Sequence, residues 1–154
     1  MKKYFIIFGV VLALLASSCN IGPKPINYGN DGCHFCSMTI VDRQHAAQFV
    51  TEKGKVFKFD AAECMMNHLN EIDKTTVSLF LVNDYNTPGE LVDATKATYL
   101  ISKNIPSPMG EYLTAFDRKE TAIKAQVDNG GELYTWEELI DKFKMKLGHK
   151  TVLE

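Results

Sequence analysis

One stretch of this chain occurs twice, and that repetition restricts the fold more than any other feature. Phe57-Lys58-Phe59-Asp60-Ala61-Ala62-Glu63 returns as Thr114-Ala115-Phe116-Asp117-Arg118-Lys119-Glu120. In each copy an Asp stands three residues before a Glu and opens an apolar-periodic run. This is the spacing of a capping box, in which the Asp accepts from the N3 amide and the Glu folds back onto the cap. Asp60 and Asp117 are therefore expected to begin helices. Upstream, Ala47-Gln48-Phe49-Val50 parallels Ala97-Thr98-Tyr99-Leu100, and both alternate like half-buried strands.

Each copy then reads strand, strand, helix, strand. The first predicts strands over 46–51 and 56–59 around Glu52-Lys53-Gly54-Lys55, a helix over 61–70 and a strand over 75–82. The second predicts strands over 97–102 and 112–116, a helix over 118–128 stopped by Asn129-Gly130-Gly131, and a strand over 132–134. A last helix is expected over 136–147, capped by Thr135 with Glu138 at N3. The fold class is α+β: two homologous ββαβ modules, over 31–86 and 87–147, the second carrying a C-terminal helix. The offset between copies grows from 50 residues at the first strand to 57 at the helix start. Seven residues have thus entered the second hairpin, at Ile105-Pro106-Ser107-Pro108-Met109-Gly110. A loop held by a rigid hairpin is a favoured place for binding groups.

The chain begins with a basic Met1-Lys2-Lys3, an apolar run from Tyr4 to Ala16, and the small residues Ser17-Ser18-Cys19. The run falls short of the ~20 residues a membrane span needs, and its layout is that of a secretory signal. Leu14-Leu15-Ala16-Ser17-Ser18-Cys19 resembles a bacterial lipobox, whose cysteine is lipidated and becomes the new N-terminus. Residues 1–18 are therefore expected to be signal and Cys19 the lipidation site. Residues 19–30, with Gly22, Pro23, Pro25 and Gly29, are expected to form a flexible tether. This places the protein in the cell envelope, lipid-anchored to a membrane and facing the periplasm. A formal net charge of −2, with acids and bases mixed, gives no nucleic-acid signature.

Export changes the reading of the cysteines. Apart from Cys19, the chain has Cys33, Cys36 and Cys64, an odd number that leaves a working thiol after any pairing. Cys33-His34-Phe35-Cys36-Ser37-Met38 concentrates soft donors, and Met109 adds a thioether at the tip of the inserted loop. Thiolate and thioether sulfur select Cu(I) over harder divalent ions, and methionine keeps its lone pair where thiols oxidise. Met38 lies two residues beyond Cys36, on the same side if the chain is extended. Cys64 and His68 would share a helix face at i and i+4. Cys64, Met65 and Leu69 also fit an apolar helix face, and free cysteine is among the most buried residue types. Cys64 is therefore assigned to the core, and His45, His68 and His149 to the surface.

These features together resemble the nitrous oxide reductase accessory lipoproteins, the NosL family. The carriers are the lipobox, Cys-x-x-Cys-x-Met near the mature start, Phe-Asp before a helix with cysteine and methionine, Leu91-Val92-Asp93-Ala94, and Pro-Met-Gly in the second half. The resemblance implies paired ββαβ modules, Cu(I) binding, and delivery of copper for maturation of nitrous oxide reductase. It also implies two partners, the reductase and its ABC-type maturation complex. Carried over to this chain, the copper ligands are Cys36 and Met109, with Met38 and then Cys33 as further candidates. The family usually has glycine where this chain has Ser37.

Two other classes compete. Cys33-His34-Phe35-Cys36 has the form of an envelope thiol–disulfide motif, which gains reactivity from the N-terminus of a following helix. Here Ser37–Val41 reads as a strand, which supplies no such dipole. A structural zinc site needs a second pair of ligands, and only Cys64 and His68 are available. No nucleophile triad, phosphate loop or paired carboxylates stand out, so a binding protein is expected and not an enzyme.

Overall fold

The computed structural model describes residues 21–150, with side chains as far as residue 146. The signal segment and Cys19 lie outside the described residues, as does the side chain of His149. The first copy of the repeat folds as β1 (Ala47–Thr51), β2 (Val56–Phe59), α1 (Ala62–His68) and β3 (Val77–Asn83). A short strand β4 (Leu91–Asp93) follows. The second copy folds as β5 (Thr98–Ile101), β6 (Leu113–Phe116), α2 (Lys119–Asn129) and β7 (Glu132–Tyr134), and α3 (Trp136–Lys150) closes the chain.

Strand order makes the repeat visible. One sheet runs β2-β1-β3-β4 and the other β6-β5-β7, so the opening strand of each copy is central and the other two flank it. All pairings are antiparallel. The fold is α+β, built of two ββαβ units. β4 pairs with β3 and so extends the first sheet.

Alternation along the central strands decides what each sheet packs against. Phe49 of β1 and Tyr99 of β5 both enter one shared core, with Phe59, Met65, Leu69, Val82, Leu113, and Trp136 and Leu139 of α3. Leu100, next to Tyr99, faces the other way into a small cluster with Phe116 and Ala122 under α2. The second sheet is thus covered on both faces. On β1 the neighbour of Phe49 is Gln48, fully buried. Its amide donates to Lys24 O (2.8 Å) and accepts from Lys24 N (2.9 Å). Ile26 joins the core. The flexible tether expected over 19–30 is therefore fastened from Lys24 onward, because Gln48 gives that backbone a hydrogen-bonding partner.

Both expected capping boxes of the repeat fail in the same way. The caps are Ala61 and Arg118, each extended and without a side-chain cap bond, so each helix starts one residue later than the spacing suggests. Asp60 is instead buried, and the Asp117 amide donates to Asp84 Oδ1 at 3.1 Å. The third box does form: Glu138 N donates to Thr135 Oγ1 (3.3 Å) and Thr135 N to Glu138 Oε2 (2.7 Å). The glycine pair after α2 is required sterically. At Gly131 (φ +101°) a Cβ would stand 2.3 Å from the Ile101 carbonyl oxygen.

Candidate metal centre

The segment before β1 is a tight turn, not the strand expected over 37–41. Gly32 and Thr39 form an isolated bridge, Cys33 N donates to Met38 O (2.7 Å), and Ser37 N donates to Cys33 O (3.0 Å). Ser37 has φ +63°, a left-handed conformation that glycine adopts without steric cost. Ser37 is thus the pivot of the turn. His34 N donates to Lys58 O (2.9 Å) and fixes the turn to β2. Cys36 and Met38 are consequently not alternate residues of an extended strand.

The turn delivers Cys33 and Cys36 to Cys64, which projects from the first turn of α1. All three sulfurs lie within 4.8 Å of one another, and all three thiols are free. Cys33 and Cys64 are 3 % and 0 % exposed, while Cys36 is half-buried and forms the open side. Among the described residues no other three His, Cys, Asp or Glu side chains converge in this way.

The electrostatics favour one thiolate. The hydrogen bond from the Cys64 thiol, more than any other contact, holds Cys33 down at about 4, with further help from the Cys36, Asp60 and Phe35 amides. That same bond, together with burial, pushes the Cys64 thiol up. Burial also raises Cys36. Asp60 is raised by its burial and then by the negative Cys33 beside it. A sulfur nest with one negative member is suited to a soft cation. Three sulfur donors suit a low-coordinate soft cation, whereas structural zinc takes four ligands.

An aromatic wall borders the sulfurs. The His34 ring lies 4.6 Å from Phe57 and 5.0 Å from His68, and His68 stacks on Phe49. Burial and the neighbouring His68 hold His34 below the usual imidazole range. His68 is half-buried in this wall, not a surface residue. His45 also departs from the surface assignment. It is 5 % exposed, with Nδ1 at 2.9 Å from Asp42 and Nε2 at 3.4 Å from Thr114 of β6, because it is needed where the two sheets meet.

The methionines divide by element. Met65 and Met66 on α1 are buried in the core, whereas Met38 and Met109 are 53 % and 37 % exposed. Neither of the latter fills a core gap. The Met109 loop is fastened through Ser107, whose hydroxyl donates to the buried carboxylate of Glu63, the residue before Cys64.

A family model for NosL matches residues 25–143. The chain belongs to the NosL family. A copper-binding lipoprotein NosL from Stutzerimonas stutzeri is 28 % identical over 120 residues, spanning 73 % of this chain and 63 % of that protein. The chain therefore matches somewhat less than two thirds of that relative's length. The crystal structure of the copper chaperone NosL from Shewanella denitrificans superposes with a TM-score of 0.68 at 22 % identity, covering 77 % of this chain and 95 % of that one. That likeness establishes the fold. The relatives are named as binding proteins and chaperones, not as enzymes. In this NosL chain the sulfur centre draws in Cys64, which sequence reasoning gave to the core. Cys64 is indeed fully buried, yet its sulfur completes the trio. The odd cysteine count pointed to a working thiol but not to which cysteine it is.

Proposed function

We propose that this chain is an envelope Cu(I) carrier in which Cys33, Cys36 and Cys64 hold the ion as cargo. The observation that carries the reading is the convergence of three free sulfurs within 4.8 Å, two of them buried. Buried thiols resist oxidation and fix the ion, and the half-buried Cys36 leaves a side through which an incoming donor can enter. Met38 and Met109, both exposed, are the thioethers we assign as exchangeable ligands for entry and exit. Exchange then proceeds by associative steps: a partner's donor binds before the last thiolate leaves, so the ion is never free.

The same proposal includes the location and the client. Lipidation of Cys19 ties the carrier to a membrane, facing the periplasm, and confines its search for partners to that surface. Dual or triple acylation anchors far more firmly than one myristoyl chain. Among the described residues no helix is long and apolar enough to cross a membrane. The client is nitrous oxide reductase, served together with its ABC-type maturation complex. The working unit is residues 31–147, with the turn and α1 in the first module (31–86) and the Met109 loop in the second (87–147).

Anaerobic competition titration of the reduced chain tests the reading. One Cu(I) per chain, bound in preference to Zn(II), is expected because the donors are sulfur. Tight Zn(II) binding with negligible Cu(I) affinity would support a structural zinc module. Failure to bind either metal, with a reversible Cys33–Cys36 disulfide, would support a thiol–disulfide protein.

A further inference from the structure

Glu63 is fully buried, and one of its carboxylate oxygens has no partner among the described residues. Burying a carboxylate without full hydrogen bonding is costly. The helix itself does not require it, since the equivalent Glu120 at the start of α2 is exposed. What distinguishes Glu63 is its other oxygen, which accepts from the Ser107 hydroxyl. Ser107 lies in the seven-residue insertion that the first copy lacks. Its oxygen also accepts from Tyr112 N at 2.8 Å, and Gly110 N donates to Ser107 O at 3.0 Å. Ser107 is thereby both the first residue of the turn that carries Met109 and the brace across the base of the loop. Gly110, at φ +72°, completes that turn. The residue after Glu63 is Cys64, one of the three converging sulfurs.

We infer that Glu63 and Ser107 form a latch that positions the Met109 loop relative to the sulfur centre. Deepening the proposed Cu(I) reading, on which it rests, the latch makes Glu63 and Ser107 positioning residues and Met109 the donor they serve. Helix α1 carries Cys64 on one residue and the loop's anchor on the residue before it. Any shift of the helix therefore moves the Cys64 sulfur and the base of the Met109 loop together. The buried carboxylate suits this role because an acceptor shielded from water keeps its one hydrogen bond from being exchanged for solvent.

A double-mutant cycle on the full chain, purified in detergent, tests the latch with Cu(I) itself as probe. Ser107→Ala is expected to weaken Cu(I) binding by about tenfold or more, as loss of a ligand-orienting partner typically does. Met109→Leu is expected to weaken it similarly. The double variant should be no weaker than Met109→Leu alone, because Ser107 acts only through Met109. Glu63→Gln, whose amide oxygen still accepts from Ser107, should keep most of the affinity that Glu63→Ala loses. Unchanged affinity in Ser107→Ala, or losses that simply add in the double variant, would overturn the latch. Cys36→Ser separates the two levels. If it weakens Cu(I) binding and Ser107→Ala does not, the latch alone fails; if it changes nothing, the sulfur centre fails with it.

Discussion

The sulfur of Cys64 on α1 lies within 4.8 Å of the sulfur of Cys33 in the turn before β1. Both side chains are almost wholly buried. The contact joins the segment that precedes the first sheet to the helix that follows its hairpin. It also means that a residue with every mark of a core position holds one corner of the candidate centre.

Cys64→Ala separates those two roles. Losing one small buried group should cost about 1 kcal/mol of stability, readable in a denaturant titration. A core role alone predicts that cost with Cu(I) affinity intact. As a ligand, Cys64 carries more than that, and Cu(I) affinity should fall by more than about tenfold, a loss of over ~1.4 kcal/mol.

Ser37 holds a left-handed backbone at the pivot of the cysteine turn. For a residue with a Cβ this conformation costs on the order of 1 kcal/mol. Ser37→Gly should therefore raise stability by up to about 1 kcal/mol, seen as a higher denaturant midpoint with an unchanged slope. A lower midpoint would mean that the serine side chain contributes more than its strain removes.

Alkaline stability should depend on Tyr99. Its phenol is fully buried and donates to the Ala94 carbonyl oxygen at 2.7 Å, and burial raises its ionisation well above the ordinary value. In the unfolded chain tyrosine ionises near pH ~10. The stabilisation is thus fully present below that pH and is lost as pH rises above it, since only the unfolded state then releases the proton. Tyr99→Phe should cost about 1 kcal/mol near neutrality through the lost hydrogen bond. Above pH ~10 its stability should fall less steeply than that of the native chain.

Repeats and alternation made the strands legible: Phe49 and Tyr99 occupy the equivalent central positions that the paired motifs imply. The helix starts were less legible. Asp60 and Asp117 carry the letters of a cap, but Asp60 is drawn into the interior and the Asp117 backbone is held by Asp84. Thr135, with no such competing partner, caps as its spacing suggests. The turn at Ser37 was hidden because serine at positive φ carries no sequence mark. His45 was hidden because it is buried against Thr114 of the other module, and no local pattern records that. Cys33 and Cys36 stood out as a Cys-x-x-Cys pair, with Cys36 favoured through the family resemblance and Cys33 only as a further candidate. Cys64 needed the fold, because a buried helix face and a ligand position look alike in one dimension.

X-ray absorption at the copper edge of the anaerobically loaded chain, compared with Cys64→Ala, tests the sulfur centre most directly. The native chain should show Cu(I) surrounded by sulfur, with one sulfur fewer in Cys64→Ala. A shell dominated by nitrogen or oxygen, or a sulfur count that Cys64→Ala leaves unchanged, would contradict a centre built on Cys33, Cys36 and Cys64.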